Sequence, residues 1–445
     1  MEFNEFLKQA ANVKPSMKQL VWFDTEFYAF IHFTINTFTD REWGLGDEDE
    51  KIFDPKKLDC RQWVKAIKSA GMKGMILTAK HHDGFCLWPS KYTEHCIKNS
   101  PYKDGKGDIV LEAAQACKEG GIKFGFYLSP WDRNSRYYGT DEYNDYFKSQ
   151  LTELLTNYGN IFHVWFDGAC GEGPNGKRQV YDYNGYIETI RKYQPDATIF
   201  SDFGPDVRWC GNEAGSPRAA EWAVVPAELT VRAEKQTEGQ VLKGNMSYIF
   251  SRDQLIGSLP TILYSKGLCF AGSEYDMSIR KGWFYHADQA PWPLEKLFNT
   301  YLGTVGGNAC LNLNIPPNRD GLFDETDVIR LRELGDLIRS SFQNDMMKDA
   351  TVTKADIDSD TQVAYDIIFP TKRMVRYVVL KEDISKGQKV ESFLVMTSEN
   401  IIAPRYDGST IGHKKICVIN KETDFLRVHI TAARGTVGLL PIEVY

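Results

Sequence analysis

Several features that would mark other classes of protein are missing from this chain of 445 residues, and each absence removes a class of function. No apolar run approaches the roughly 18–20 residues a membrane-spanning helix needs. No run of Lys and Arg exceeds two residues and the net charge is −7, so the clustered positive surface that tracks phosphates is lacking. None of the nine cysteines forms a C-x-x-C pair, and their number is odd, which fits reduced, mostly buried thiols better than a disulfide framework or a zinc site. Histidine is sparse as well: the eight present include no H-x-H and no H-E-x-x-H, so a catalytic metal has little to hold it. Neither G-x-S-x-G nor a convincing Cys–His context supports a Ser or Cys nucleophile. The first twenty residues lack the apolar stretch of a secretory signal. The expectation is therefore a cytoplasmic chain as the sequence stands, or a periplasmic or secreted one if a leader has been removed. No nucleic acid, membrane, metal or cofactor is expected, and the oligomeric state is not legible.

What is present is a globular composition, 42% hydrophobic and 25% charged, with a generous 13% of aromatics. Such rings fill large cores, and they also stack on the C–H faces of pyranoses. From about residue 29 to 340, apolar strand-like runs alternate with amphipathic helical segments. "AFIHFTI" (29–35), "GMILTA", "IKFGFYLSP", "IFHVWFDG" (161–168), "ATIFSDFGPD" and "NACLNLNIPP" read as strands. Between them, "LDCRQWVKAIKSAG" puts Cys60, Trp63, Val64, Ile67 and Ala70 on one helical face, and "DIVLEAAQACKEGG" starts at a plausible N-cap, Asp108. Seven or eight such units imply a parallel sheet closed as a (β/α)8-type barrel. A helix over 324–342 closes the unit. Beyond it, short alternating runs separated by turns imply an antiparallel β-sandwich. The expected division is a catalytic barrel over 1–343 and a β-sandwich over 344–445.

In such a barrel, chemistry sits where the strands end. The endings here are "HFTINTFTDREW", "AKHHDGF", "FYLSPWD", "VWFDG", "FSDFGPDVRWCGNE" and "LNLNIPPNRDG". Histidine, carboxylate and aromatic recur from segments far apart in sequence. That inventory suits glycoside hydrolysis by two carboxylates between aromatic walls. Asp167 is the leading nucleophile candidate, although a D-G pair also makes an ordinary turn. For the second carboxylate, Glu172, Glu213, Glu221 and Glu274 all fall in segments that read as loops, and spacing does not choose among them.

The ordered motifs "KHHDGFCLWPS", "VWFDG", "DVRWCGNEAG", "SIRKGWFYH" and "LNLNIPPNRDG" resemble the α-L-fucosidases of glycoside hydrolase family 29, over roughly residues 15–340. The "GNE" resembles the branch acting on α-1,3- and α-1,4-linked fucose. The resemblance implies a fucosylated oligosaccharide substrate and hydrolysis with retention, with Asp167 as nucleophile and Glu213 as acid/base. It implies His32, His81 and His82 as ligands of fucose hydroxyls, and Tyr127 and Trp165 as pocket walls. Glu42 and Trp43 in "DREWG" are implied at the sugar, and Trp283 near its methyl group. One departure is visible: the family usually reads "SIRPGWFYH", and here Lys281 replaces the φ-locking proline. Two alternatives stay open, a glycosidase of this scaffold acting on β-galactosides and a non-catalytic fucose-binding protein.

Overall fold

Eight parallel strands close on themselves in the computed structural model, which describes residues 3–201, 204–228, 256–357, 359–398 and 404–445. The strands are β1 (Phe27–Ile31), β2 (Gly74–Lys80), β3 (Lys123–Leu128), β4 (His163–Trp165), β5 (Thr198–Ser201), β6 (Val207–Trp209), β9 (Gly272–Ser278) and β10 (Ala309–Asn314). Around the barrel they run β1-β10-β9-β6-β5-β4-β3-β2. Between β6 and β9 the chain makes a short antiparallel pair, β7 (Val224–Pro226) with β8 (Leu268–Phe270).

The outer helices form where apolar periodicity and caps coincide. In Cys60–Ser69 the buried face is Cys60, Trp63, Val64, Ala66 and Ile67, and the Asp59 side chain caps the start by accepting from the Arg61 N–H. In Ile109–Gly120 the Asp108 carboxylate accepts from the Leu111 N–H, and Gly121 ends the helix in the left-handed conformation (φ 68°). Further helices at Glu142–Asn157, Tyr183–Tyr193, Leu294–Thr304 and Glu325–Ser341 complete the outer ring.

The barrel differs from the sequence expectation at four strands, one of which, β6, was read only as part of the ending of the preceding strand. The first ends at Ile31 because Thr34 caps a helix over Ile35–Thr39, its side chain accepting from the Asn36 N–H. His32 therefore stands just past the strand end. Of the expected strand "ATIFSDFGPD", the part Thr198–Ser201 is a strand and residues 202–203 lie outside the described residues. Strand β9, "GSEYDMS", was not expected at all. Its inward positions are polar, so it does not read as an apolar run, and Glu274 is a strand residue rather than a loop residue.

Beyond the barrel lies an antiparallel sheet ordered β11 (Thr351–Lys354), β12 (Val363–Leu380), β15 (Lys415–Ala433), β13 (Val390–Thr397), β14 (Tyr406–Gly408), with β16 (Glu443–Val444) beside β12. The long strands β12 and β15 pair along most of their length, with register shifts between Ile368 and Arg373 and between Val375 and Tyr377. Residues from both halves of the ribbon, Ile367 and Phe369 as well as Val375 and Val378, enter one hydrophobic cluster. The ribbon therefore folds over its own core, giving sandwich-like packing from one continuous sheet. It is tied to the barrel by backbone bonds from Asn308 N–H to Lys414 O (2.9 Å) and from Ile416 N–H to Gly306 O (2.9 Å).

Candidate active site

Inside the barrel the side chains stack in layers. In the lower layer Glu274 is fully buried and fully engaged. Its Oε1 accepts from Trp165 Nε1 (2.7 Å) and Asn312 Nδ2 (3.0 Å), and its Oε2 accepts from the Tyr28 hydroxyl and stands 3.2 Å from His163 Nε2. These donors outweigh burial and hold its carboxyl below the usual range. Such a group is committed to structure. It fixes the indole of Trp165, which stacks on Phe200 with ring centroids 4.2 Å apart and planes 8° from parallel.

Above that floor is a cavity of about 240 Å³ at the C-terminal ends of the strands. His32, His81, His82, Trp43, Trp165, Trp283, Asp167 and Glu213 all line it, so eight of the ten expected site residues converge there. The adjacent histidines share it because both lie past the end of β2, after a register shift between Thr78 and Lys80, and so escape the strict alternation of a strand. Their rings lie 4.1 Å apart.

Burial makes these histidines hard to protonate. It pushes His32 down to about 4, and lowers His82 and, more strongly, His81. Their wall-side partners assign the neutral tautomers. Asn314 donates through Nδ2 to Ser278 Oγ and Trp283 O, so its Oδ1 accepts from His32 Nδ1–H (2.8 Å). Ser129 donates to Trp131 O, so its Oγ accepts from His82 Nδ1–H (2.7 Å). Asn36 Nδ2 faces His81 Nδ1 at 3.4 Å, which makes that nitrogen the acceptor. His32 and His82 thus keep Nε2 as an acceptor, whereas His81 keeps an Nε2–H donor. A wall offering both suits hydroxyl groups, which donate and accept.

Asp167 follows β4. Its Oδ2 accepts from the Tyr127 hydroxyl (3.0 Å) and its Oδ1 from the Ala169 N–H (2.8 Å), which fixes the plane of the carboxylate. His82 Nε2 stands 3.8 Å from Oδ2. Tyr127 is buried behind the cavity and acts on it through this bond rather than as a lining residue. Among the four glutamates left open by the sequence, Glu213 alone lines the cavity. Glu221 is buried against Arg208 and Arg218 and accepts from the Tyr275 hydroxyl (2.7 Å), Glu274 belongs to the floor, and Glu172 is exposed outside the lining. Partial desolvation and the charges of Asp167 and Glu42 push the Glu213 carboxyl up, against a bond from Trp283 Nε1 (3.3 Å) that favours the ion.

Glu42 does not line the cavity. Its carboxylate accepts from the Trp283 and Phe284 N–H groups (2.8 and 3.2 Å) and from His286 Nε2 (2.7 Å), so it holds the loop that carries Trp283. The approach is close enough that a Cβ on Gly282 would stand 2.5 Å from Glu42 Oε1. Lys281, beside this loop, is exposed. Five further lining residues, Phe30, Ala169, Phe200, Trp209 and Asp276, were not singled out from the sequence. For Asp276 the missed signal was the polar–apolar alternation E-Y-D-M-S, the mark of a strand whose inward face is polar. Among the described residues no group of three or more His, Cys, Asp or Glu side chains is arranged to hold a metal ion, and no helix is long and apolar enough to cross a membrane.

The profile of the α-L-fucosidase family matches residues 9–341. The chain is 38% identical over 435 residues to α-L-fucosidase 1 of Arabidopsis thaliana, covering 90% of this chain and 81% of that one. Among solved structures it is similar to a Bacteroides ovatus protein provisionally named an α-L-fucosidase (TM-score 0.90, 42% identity, 100% of this chain and 76% of that one). It is also similar to a Ruminococcus gnavus glycoside hydrolase family 29 fucosidase in complex with fucose (TM-score 0.84, 28% identity, 98% and 95%).

Proposed function

We propose a reaction from one premise: the chain belongs to the α-L-fucosidase family and is a glycoside hydrolase that releases L-fucose from fucosylated glycans. The finer reading is exo-hydrolysis of α-1,3- and α-1,4-linked fucose with retention, by double displacement. Asp167 attacks C1 and forms a fucosyl ester while Glu213 protonates the departing glycosidic oxygen. Glu213 then removes a proton from water, which attacks C1, breaks the ester and releases fucose in its original configuration. The observation that carries this reading is the contrast between the two carboxyls of one cavity. Asp167 is oriented by Tyr127 and the Ala169 N–H, and Glu213 is raised toward an acid by desolvation and neighbouring negative charge. The linkage preference rests on the "GNE" motif alone.

The division at residue 343 is part of the same reading. The chemistry belongs to residues 1–343 and a packing role to 344–445, since the cavity lining runs from Phe30 to Trp283. Proton NMR of the enzyme with a trisaccharide carrying α-1,3-fucose on N-acetylglucosamine tests substrate and stereochemistry together. The expected first product is α-L-fucose. If β-L-fucose appears first, the enzyme inverts. If nothing is released there while an aryl α-L-fucoside is cleaved, the linkage assignment fails and the activity stands.

A further inference from the structure

The cavity holds a third carboxyl. Asp276 sits on β9 one inward position above Glu274 and is 2% exposed. Its Oδ1 accepts from Trp209 Nε1 (2.8 Å), and Trp209 lines the same cavity. No cation stands against it among the described residues. Its nearest charges are Glu213 and Glu274, both negative, and together with burial they push the Asp276 carboxyl well above the usual carboxylate range. A buried carboxyl in that setting holds a proton more readily than an ordinary aspartate, and with the proton on it can donate a hydrogen bond. The contrast with Glu274 is direct. That residue has side-chain donors on both oxygens, whereas among the described residues Trp209 Nε1 on Oδ1 is the only side-chain donor to Asp276, and Asp276 lines the cavity.

Position says what the carboxyl meets. In the barrel order β2, which delivers His81 and His82, stands opposite β6, which delivers Trp209, and three strands from β9, which delivers Asp276 beside it. Glu213 is exposed at the mouth, where a leaving group departs, while Asp276 lies deep. We propose that Asp276 is a substrate-contacting residue, donating a hydrogen bond from its second oxygen to a ring hydroxyl of the fucosyl unit on the side opposite the histidine wall. The inference rests on the fucosidase reading. It adds a donor where His32 and His82 supply acceptors, so the sugar is held from two sides and its C1 is kept in line with Asp167.

The test compares Asp276→Ala and Asp276→Asn with wild type on an aryl α-L-fucoside and on its 2-, 3- and 4-deoxy analogues. Turnover by wild type checks the fucosidase reading by itself, so a failure there is separate from a failure of the inference. Asp276→Ala is expected to lose at least about tenfold in kcat/KM on the parent substrate. Asp276→Asn keeps a donor and an acceptor in the same places and is expected to stay within about threefold. Against one deoxy analogue, and only one, the Ala variant and wild type should become nearly equal, because the hydroxyl that makes the contact is gone. An unchanged kcat/KM in Asp276→Ala overturns the proposal. So does an equal penalty across the parent and all deoxy analogues, which is what a purely supporting role for Trp209 would give. If Asp276→Ala does not fold, Asp276→Asn still decides: a loss tenfold or greater, equal on every analogue, overturns the contact.

Discussion

The lower and upper layers of the barrel interior are built from the same residue types and behave in opposite ways. Below, Tyr28, His163, Glu274 and Asn312 answer one another, and Glu274 has donors on both oxygens. Above, His32, His81 and His82 each keep a ring nitrogen for the cavity, and desolvation and neighbouring negative charge raise the carboxyls of Glu213 and Asp276. A buried polar group whose bonds are complete stabilises the fold. One whose bonds are incomplete, with space beside it, is held for a ligand. Acidity separates the layers too: partners lower Glu274, while desolvation and like charge raise Asp276 two residues later.

The sharpest way to break this contrast is to remove an upper-layer carboxylate and watch activity and stability separately. Asp167→Ala should lose about 10⁴-fold or more in turnover of an aryl α-L-fucoside, with a melting temperature close to wild type. Retention of a tenth of the activity would move the nucleophile elsewhere. Glu213→Ala should lose about 10²–10⁴-fold on a glycan substrate and less on a substrate whose leaving group needs no protonation, where azide should restore turnover. Failure of azide to do so would take the acid/base role from Glu213. The same residue sets a pH dependence. As an acid it works while protonated, so its raised pKa keeps kcat/KM high to a higher pH than an ordinary glutamate would, and activity falls as pH rises through it. Trp283→Phe removes the N–H that favours the ionised form, so the alkaline limb should move to higher pH. A move the other way would show that the indole contact is not made in solution.

A lower-layer substitution should do the reverse. Glu274→Ala orphans the Tyr28, Trp165 and Asn312 donors and leaves His163 without its partner, at a cost of about 3–5 kcal/mol in unfolding free energy. Urea denaturation checks this. A loss below ~1 kcal/mol would show that the layer relaxes or takes up water. Linkage gives a second readout. The Glu274 pKa is lowered by folding, so its contribution is present above the pKa of the unfolded chain and is lost as pH falls through the folded value.

The same contrast explains how much of the site was legible. The barrel was readable because its outer helices carry apolar faces with caps at Asp59 and Asp108, and because β2 and β3 hold the apolar runs Met75–Leu77 and Phe124–Leu128. His81, His82 and Asp167 stood out because polar residues at the end of an apolar strand are anomalous. Strand β9 was passed over: with Glu274, Asp276 and Ser278 facing inward it carries the alternation of a strand but too little apolar character to stand out from a loop. That one misreading placed Glu274 among the candidate acids and left Asp276 unnoticed. Glu42 was placed at the sugar by the family resemblance, and no local pattern announces that its partners are backbone N–H groups more than two hundred residues away.

That Glu42 contact yields the smallest effect and the finest comparison, between a buried layer and a surface clamp. His286 lies between Asp40 (Nδ1, 2.8 Å) and Glu42 (Nε2, 2.7 Å), and these carboxylates raise its pKa against partial desolvation. The sign follows from linkage. Because folding raises this pKa, the clamp contributes fully below the unfolded value and its contribution is lost as pH rises through the folded one. The groups are partly exposed, so the contribution is only about 0.5–1 kcal/mol, and salt should weaken it. Hydrogen exchange over residues 281–287 should therefore quicken as pH rises, beyond the intrinsic increase seen in an unstructured peptide. In His286→Gln that excess should vanish, while KM for the fucoside rises by about twofold to fivefold as Trp283 loosens. If the excess persists in the variant, the pH response of the Trp283 loop belongs to another group. The clamp would then be ornament on a loop that Glu42 holds through the backbone alone.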